Sequence, residues 1–262
     1  MFDSIRLQVE IVRALAYRDQ AERILKSPFG VIGLLVEPLI FVSMFLALRI
    51  LIRSRGADLM NPALQLGAGF ILFFLFSKIA LKAIGGVARA QRFAELRRIR
   101  PLDVLLAGAL VESQIYCTCL VLVILGVSIY EWRIAVADPG AAVVLFLLMA
   151  LTSLGVGLSA LVVGHRIPIV KMAVSLVLRR LLFWTSGLFF SIATVPEFVR
   201  PFLLWNPLLH GIELFRHALI PTYPIPGISL NYLIIWTLGS LGFSMIAYSN
   251  NEQLLISEEA LP

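Results

Sequence analysis

The chain contains six apolar stretches, each long enough to cross a lipid bilayer as a helix. They cover residues 33–52, 62–85, 101–128, 140–164, 169–192 and 228–249. The hydrocarbon core of a bilayer is about 30 Å thick, so a crossing helix needs roughly 20 predominantly apolar residues. Backbone polar groups find no water at that depth, and a helix satisfies them internally. The sequence therefore predicts an all-α integral membrane protein, with a single transmembrane domain over residues 1–262 and six transmembrane helices.

The composition agrees with this fold class and restricts the partners. Charged residues make up 15% of the 262 residues, whereas soluble domains carry about 25%. The net charge of +6 does not indicate a nucleic-acid partner, because basic residues of membrane proteins collect on the cytoplasmic side and at anionic head groups. We expect contact with membrane lipids and none with nucleic acid.

Lysine and arginine are distributed unevenly between the two sides of the predicted membrane domain. One side carries twelve: Arg6, Arg13, Arg18, Arg23, Lys26, Arg89, Arg92, Arg97, Arg98, Arg100, Arg166 and Lys171. The other carries five: Arg53, Arg55, Arg133, Arg200 and Arg216. Cytoplasmic connections hold the excess of basic residues in multi-pass proteins. The pattern predicts that both termini are cytoplasmic.

Residues 1–30 precede the first span and have helical apolar spacing. The apolar stripe consists of Ile5, Val9, Val12 and Ala16. This pattern is typical of an amphipathic helix that lies on the membrane surface. A cytoplasmic helix packed on protein is the alternative.

The connection between the second and third spans, residues 86–100, is strongly basic. It contains Arg89, Arg92, Glu95, Arg97 and Arg98. A short polar helix on the cytoplasmic side suits docking to a soluble partner, and we predict that these five residues couple the chain to an ATPase. The sequence has no G-x-x-x-x-G-K-[ST] motif, so ATP-driven transport would need a second polypeptide for the hydrolysis.

Two adjacent arginines, Arg179 and Arg180, lie near the middle of the fifth predicted span. A charge at that depth costs about 3 kcal/mol or more, so it should face protein or a wet cavity. We predict that both line a channel for an anionic substrate, and that Lys78 and Lys82 extend this basic path. The alternatives are an ion pair with Glu112, or a shorter span with side chains that reach the head groups.

Aromatic residues gather towards the outer half of the domain. They are Phe183, Trp184, Phe189, Phe190, Phe198, Phe202 and Trp205. An interfacial belt is the usual reason for such a cluster, although sugar rings also stack on aromatic faces. We place Phe183 and Trp184 in the predicted channel.

Residues 194–227 are too rich in proline and polar residues to span the membrane, yet too apolar for a free loop. A re-entrant hairpin on the extracytoplasmic side would explain both properties, and a short amphipathic lid lying flat on the outer interface is the alternative. His210, Glu213 and His217 share one helical face here, a spacing that could bind a metal. We interpret them as interfacial polar groups and predict no metal site and no catalytic residue.

Several motifs resemble those of the permease subunits of type-2 ABC transporters, in the polysaccharide-export branch. The resemblance extends over nearly the whole chain. It lies in Lys26-Ser27-Pro28-Phe29-Gly30 with Glu37-Pro38, in Arg100-Pro101-Leu102, in Ser186-Gly187, and in Asn206-Pro207-Leu208 with Glu213 and Arg216 downstream. The segment at 86–100 is similar to the coupling helix of that family.

The resemblance implies a homodimeric permease with two nucleotide-binding ATPase subunits, which would bind ATP and Mg; no cofactor is expected on this chain. It implies a channel for a lipid-linked polymer in the inner membrane of a Gram-negative bacterium, and a periplasmic export adaptor as a further partner. The intramembrane arginines favour an anionic capsular polysaccharide. Export of O-antigen, teichoic acid or small molecules, or a membrane transferase acting on a lipid-linked substrate, are the alternatives.

Overall fold

The computed structural model describes residues 2–27, 29–52, 60–86 and 100–257, and the regular structure within them is helical throughout. The α-helices are α1 Phe2–Lys26, α2 Gly30–Ile52, α3 Pro62–Ile84, α4 Pro101–Glu131, α5 Pro139–Arg166, α6 Pro168–Leu176, α7 Leu182–Thr185, α8 Arg200–Leu203, α9 Pro207–Leu219 and α10 Leu230–Ser257. Among them α2, α3, α4, α5 and α10 are long and apolar enough to cross a membrane. The prediction of an all-helical membrane protein is confirmed.

Helix α3 forms the centre of the fold, with α2, α4, α5 and α9 packed around it. The side chain of Asn61 accepts a hydrogen bond from the Ala63 amide at 2.8 Å, and Pro62 follows at the first helical position. Both features favour a helix start at this point. Apolar side chains on all faces of α3 are buried, Phe70 and Leu75 completely, as expected for a helix surrounded by others.

Two glycines allow α5 to approach its neighbours closely. A Cβ atom at Gly157 would lie 2.6 Å from the Ala80 carbonyl oxygen of α3, and one at Gly155 would lie 2.8 Å from the Leu241 amide nitrogen of α10. Small residues at such contacts let backbones touch, which is a common mode of helix packing in membranes. These contacts fix α5 between α3 and α10.

The fifth predicted span is divided. Helix α6 continues into a π-helical segment, Val177–Leu181, and then into the single turn of α7. The helical backbone ends at Thr185, seven residues before the predicted end at 192. At this end the side chain of Asn206 donates hydrogen bonds to Ser186 Oγ at 2.9 Å and Thr185 Oγ1 at 3.2 Å. Gly187 then turns the chain with a φ of +70°.

Helix α9, within the predicted hairpin segment, is enclosed by α3, α5 and α10. Ten of its thirteen residues are buried, and the remaining three are half-buried. A helix lying flat on an interface would have one free face, and α9 has none. The alternative of a flat amphipathic lid therefore does not describe this helix.

Helix α1 packs on α4 instead of extending freely. Val12 and Leu15 are buried in a small cluster with Ala107, and Gln8 donates a hydrogen bond to Asp103 near the start of α4. Val9, which belongs to the predicted apolar stripe, is exposed. The surface that α1 buries is thus rotated from the predicted one, and it contacts protein.

Candidate functional site: a basic cavity beside the π-helical segment

A cavity of about 640 Å³ lies between α2, α3, α4 and the π-helical segment. Its lining includes Phe41, Phe73, Phe74, Ser77, Lys78, Leu81, Lys82, Glu112, Arg179 and Phe183. Four of the six predicted channel residues, Lys78, Lys82, Arg179 and Phe183, therefore lie around one space. The lining therefore contains three cations, one carboxylate and four phenylalanine side chains.

Glu112 is the most enclosed charged group of the cavity, with 6% of its side chain exposed. Its Oε1 lies 2.6 Å from Lys82 Nζ and 2.9 Å from Arg23 Nη1. Asp19 also lies beside these cations, 3.3 Å from Lys82 and 3.1 Å from Arg23. We call these four residues the Glu112 cluster. Since buried charges persist only when paired, the cluster ties α1 to α3 and α4.

The ion pairs of the Glu112 cluster bear on one alternative for Arg179 and Arg180, an ion pair with Glu112. The partners of Glu112 in the structure are Lys82 and Arg23, and neither Arg179 nor Arg180 forms an ion pair with any described residue. The interpretation of Arg179 and Arg180 as structural partners of Glu112 is therefore wrong. Lys82 belongs to a structural network as well as to the cavity wall.

Lys78, one turn before Lys82, is less constrained. Its Nζ lies 2.9 Å from Glu37 Oε1, and the two side chains are 38% and 58% exposed. An exposed pair of this kind stabilises a fold by about 1 kcal/mol or less. Lys78 can therefore exchange this carboxylate for another anion at little energetic cost.

Arg179 and Arg180 both lie in the π-helical segment, but only Arg179 lines the cavity. The amide of Leu182 bonds to the carbonyl of Val177, which widens the helix by one residue. Leu178 is buried, and both arginines are exposed. Arg179 lines the cavity, whereas Arg180 is not part of its lining.

The aromatic wall is built around Phe183. Its ring centroid lies 5.4–5.5 Å from those of Phe73, Trp184 and Phe189 in edge-to-face contacts. Trp184 lies outside the cavity lining and is 67% exposed. Phe183 is thus held rigidly at the cavity, while Trp184 covers the outer side of the same cluster.

Ser77 is a part of the cavity wall that the sequence analysis missed. Its side chain is buried, and within the described part of the chain Ser77 Oγ has no hydrogen-bond partner. Buried hydroxyl groups in proteins nearly always have a partner. No sequence signal marks a single serine in an apolar helix, so only its position beside Lys78 identifies it.

A second polar centre, away from the cavity, surrounds Arg216 of α9. This side chain is completely buried and bonds Glu213 at 2.8 Å, together with the carbonyl oxygens of Gln65, Leu188 and Phe190. It therefore holds the non-helical segment after α7 against the first turn of α3. The position of the π-helical segment depends on this anchor.

The two histidines of the metal-site alternative have structural roles. His210 Nδ1 accepts from the Ser229 amide at 3.0 Å, so Nε2 carries the proton that is donated to the Leu204 carbonyl at 2.8 Å. His217 Nδ1 donates to the Tyr223 carbonyl at 2.9 Å. Since both nitrogens of His210 are occupied, it has no lone pair left for a metal.

The predicted ATPase-coupling residues, Arg89, Arg92, Glu95, Arg97 and Arg98, lie outside the described residues. Their assignment stays a prediction.

Comparison with known proteins assigns the chain to a family. The family profile described as ABC-2 type transporter matches residues 12–220. The chain belongs to this family of ABC transporter membrane subunits. This confirms the family resemblance and the prediction of a transport subunit, and it argues against the transferase alternative.

Curated relatives of this ABC-2 permease align over most of their length. The chain is 31% identical to the polysialic acid transport protein KpsM of Escherichia coli over 252 residues, 96% of this chain and 97% of the relative. It is 23% identical to the capsule polysaccharide export inner-membrane protein BexB of Haemophilus influenzae, with 94% and 93% covered. The corresponding protein CtrC of Neisseria meningitidis is 26% identical, with 82% and 80% covered.

Proposed function

We propose that this ABC-2 permease moves an anionic, lipid-linked capsular polysaccharide across the bacterial inner membrane. The observation that carries the proposal is Arg179, an exposed cation of the π-helical segment that lines the cavity and has no carboxylate partner among the described residues. In this proposal the segment lies within the membrane. A charge in that environment is expensive unless it meets a counter-charge. The relatives named for capsule export and for polysialic acid, a polyanion, supply the class of substrate.

The cavity offers three kinds of contact to such a polymer. Arg179 and Lys78 would bind its carboxylate or phosphate groups, because charge-assisted hydrogen bonds of this type are short and strong. The hydroxyl group of Ser77 can donate a hydrogen bond to the same carboxylate or phosphate groups. Phe183 provides an apolar face on which a sugar ring or a lipid chain can slide.

In this proposal the divided helix over residues 168–185 completes a sixth crossing, together with the irregular segment up to 192. Irregular backbone at membrane depth is acceptable where protein encloses it, and Arg216 and Asn206 satisfy the polar groups here. Residues 194–227 then form the re-entrant hairpin, and both termini are cytoplasmic.

A second copy of the chain would complete the channel, as the family resemblance implies. ATP and Mg would be bound by a separate ATPase docked on residues 86–100, and a periplasmic adaptor would receive the polymer. The family assignment supports an ATPase partner, and the basic composition of residues 86–100 supports docking at that connection.

The test of the transport function is deletion of the gene in a capsulated host, with separate measurement of surface and intracellular polymer. We expect surface polymer to disappear while polymer accumulates inside the cell. Restored export on re-expression of the chain would exclude effects on neighbouring genes. Unchanged surface polymer after deletion would contradict the proposal.

The ATPase partnership is tested by purification in mild detergent. The triple change Arg92→Glu, Arg97→Glu and Arg98→Glu should abolish co-purification of the ATPase. The matched control changes Arg53, Arg55 and Arg133 to glutamate, because the predicted topology places these on the opposite side of the membrane. Equal loss in both triple variants, or none in either, would refute the coupling role of residues 86–100.

A further inference from the structure

A long groove lies on the outside of the fold between α4 and α5, with a volume of about 1280 Å³. The two helices make few contacts with each other, because α4 packs mainly on α3, whereas α5 packs on α10 and α3. Their connection is attached elsewhere: the amides of Ala137 and Asp138 bond to the carbonyls of Leu219 and Ala218 at the end of α9. Phe215 of α9 contributes to the groove lining between the two helices.

The groove is separate from the proposed channel cavity. On α4 it is lined by residues including Leu110, Gln114, Cys117 and Val121. With 100° of rotation per residue, these positions cluster on the side of α4 opposite Glu112. None of the Glu112 cluster residues lines the groove, and Arg179 does not line it either.

The lining is apolar along most of its length and polar at one end. From Leu110 to Leu125 the wall of α4 extends for about 22 Å, which exceeds the roughly 15 Å depth of one bilayer leaflet. At the α1 end, Arg13, Tyr17 and Gln20 join the lining. Arg13 is exposed and has no ion-pair partner among the described side chains, whereas Arg6 on the same helix is paired with Glu10 at 3.4 Å.

An elongated apolar wall with a cation at one end matches the chemistry of one class of molecule. We propose that the groove binds an anionic glycerophospholipid, with its acyl chains along α4 and α5 and its phosphate near Arg13. The volume is above the 300–1,000 Å³ typical of sites for small soluble ligands. The lipid would fill the gap between α4 and α5 and link α1 to the membrane domain.

The experiment is native mass spectrometry of the full permease–ATPase complex, incubated with phosphatidylglycerol or phosphatidylcholine of identical acyl chains. The wild-type complex should retain phosphatidylglycerol preferentially. Arg13→Gln should reduce that preference about fivefold, as expected for one basic residue at an anionic lipid. The control Arg6→Gln changes an exposed arginine of the same helix outside the groove, and it should have no effect.

A second variant tests the apolar part independently of charge. Val143 lines the groove and is 58% exposed, so Val143→Trp fills the space without disturbing the core. It should reduce retention of both lipids. Equal lipid retention in the wild-type, Arg13→Gln and Val143→Trp complexes would overturn the proposal. So would a Val143→Cys variant that cross-links efficiently to a protein chain, since the groove would then be a protein interface.

Discussion

Replacement of Glu112 by glutamine measures how much the Glu112 cluster stabilises the fold. Glu112 accepts charge-assisted hydrogen bonds from Lys82 at 2.6 Å and Arg23 at 2.9 Å, and its side chain is 6% exposed. Removal of one partner from a buried ion pair costs about 3–5 kcal/mol, because the remaining charges lose their compensation. Glutamine still accepts a hydrogen bond, so we expect a loss near the lower end, about 3 kcal/mol of the free energy of unfolding.

The matched control is Glu37→Gln, which removes the same charge from a pair of similar length. Glu37 lies 2.9 Å from Lys78, but the two side chains are 58% and 38% exposed. Exposed ion pairs contribute about 0.2–1 kcal/mol. The two variants should therefore differ by about 2 kcal/mol or more, although their chemistry is the same.

The assay is denaturant titration of the purified protein in detergent micelles, followed by the fluorescence of its four tryptophans. A double variant, Glu112→Gln with Lys82→Gln, should lose less than the sum of the two single variants, because it leaves fewer uncompensated charges. Equal losses of unfolding free energy in Glu112→Gln and Glu37→Gln would contradict this expectation, since burial would then have no effect on the stability that an ion pair contributes.

Three further changes test the anchor between α9 and the segment after α7. Arg216→Met removes hydrogen bonds to four acceptors in a completely buried site and should lower the free energy of unfolding by at least 3 kcal/mol. The control Arg200→Met changes a partly exposed side chain and should lower it by about 1 kcal/mol. Equal losses in the same denaturant titration would contradict this difference. Gly187→Ala should cost about 1–2 kcal/mol from its φ of +70° alone, and more because its Cβ would lie 2.7 Å from Leu209; a thermal midpoint equal to the wild type would contradict it. Asn206→Ala removes the cap of α9 and the hydrogen bond to Ser186, with an expected cost of about 1–2 kcal/mol in the free energy of unfolding. Limited proteolysis that cleaves residues 186–206 no faster in this variant than in the wild type would contradict the assigned role.

The long helices follow directly from the sequence, because apolar length alone determines whether a segment can cross a bilayer. The start of α3 at Pro62, for example, agrees with the predicted start at 62, and in the structure Asn61 caps the helix there. The end of the fifth stretch could not be predicted in the same way. Its apolar composition continues to 192, but the helix stops at Thr185, because Gly187 turns the chain with a φ of +70°. Asn206, 21 residues beyond Thr185, holds this end with side-chain hydrogen bonds.

The candidate site was predicted in part, for a similar reason. Intramembrane charges are rare enough to identify Lys78, Lys82 and Arg179 as functional candidates. Which cation pairs with which carboxylate depends on how the helices pack. Arg23 and Asp19 come from α1, for which the sequence predicted a helix on the membrane surface, with a helix packed on protein as the alternative. Ser77 gave no signal, because one serine in an apolar helix is common.

Contact between Arg179 and the transported polyanion is tested by polymer export in Arg179 variants. Surface polymer would be measured in a deletion host that expresses equal membrane amounts of the wild type, Arg179→Gln or Arg179→Lys. Loss of a charge-assisted contact of about 1.5–3 kcal/mol should reduce export by tenfold or more in Arg179→Gln, while Arg179→Lys should retain most of it. Export by Arg179→Gln at the wild-type rate would contradict the claim.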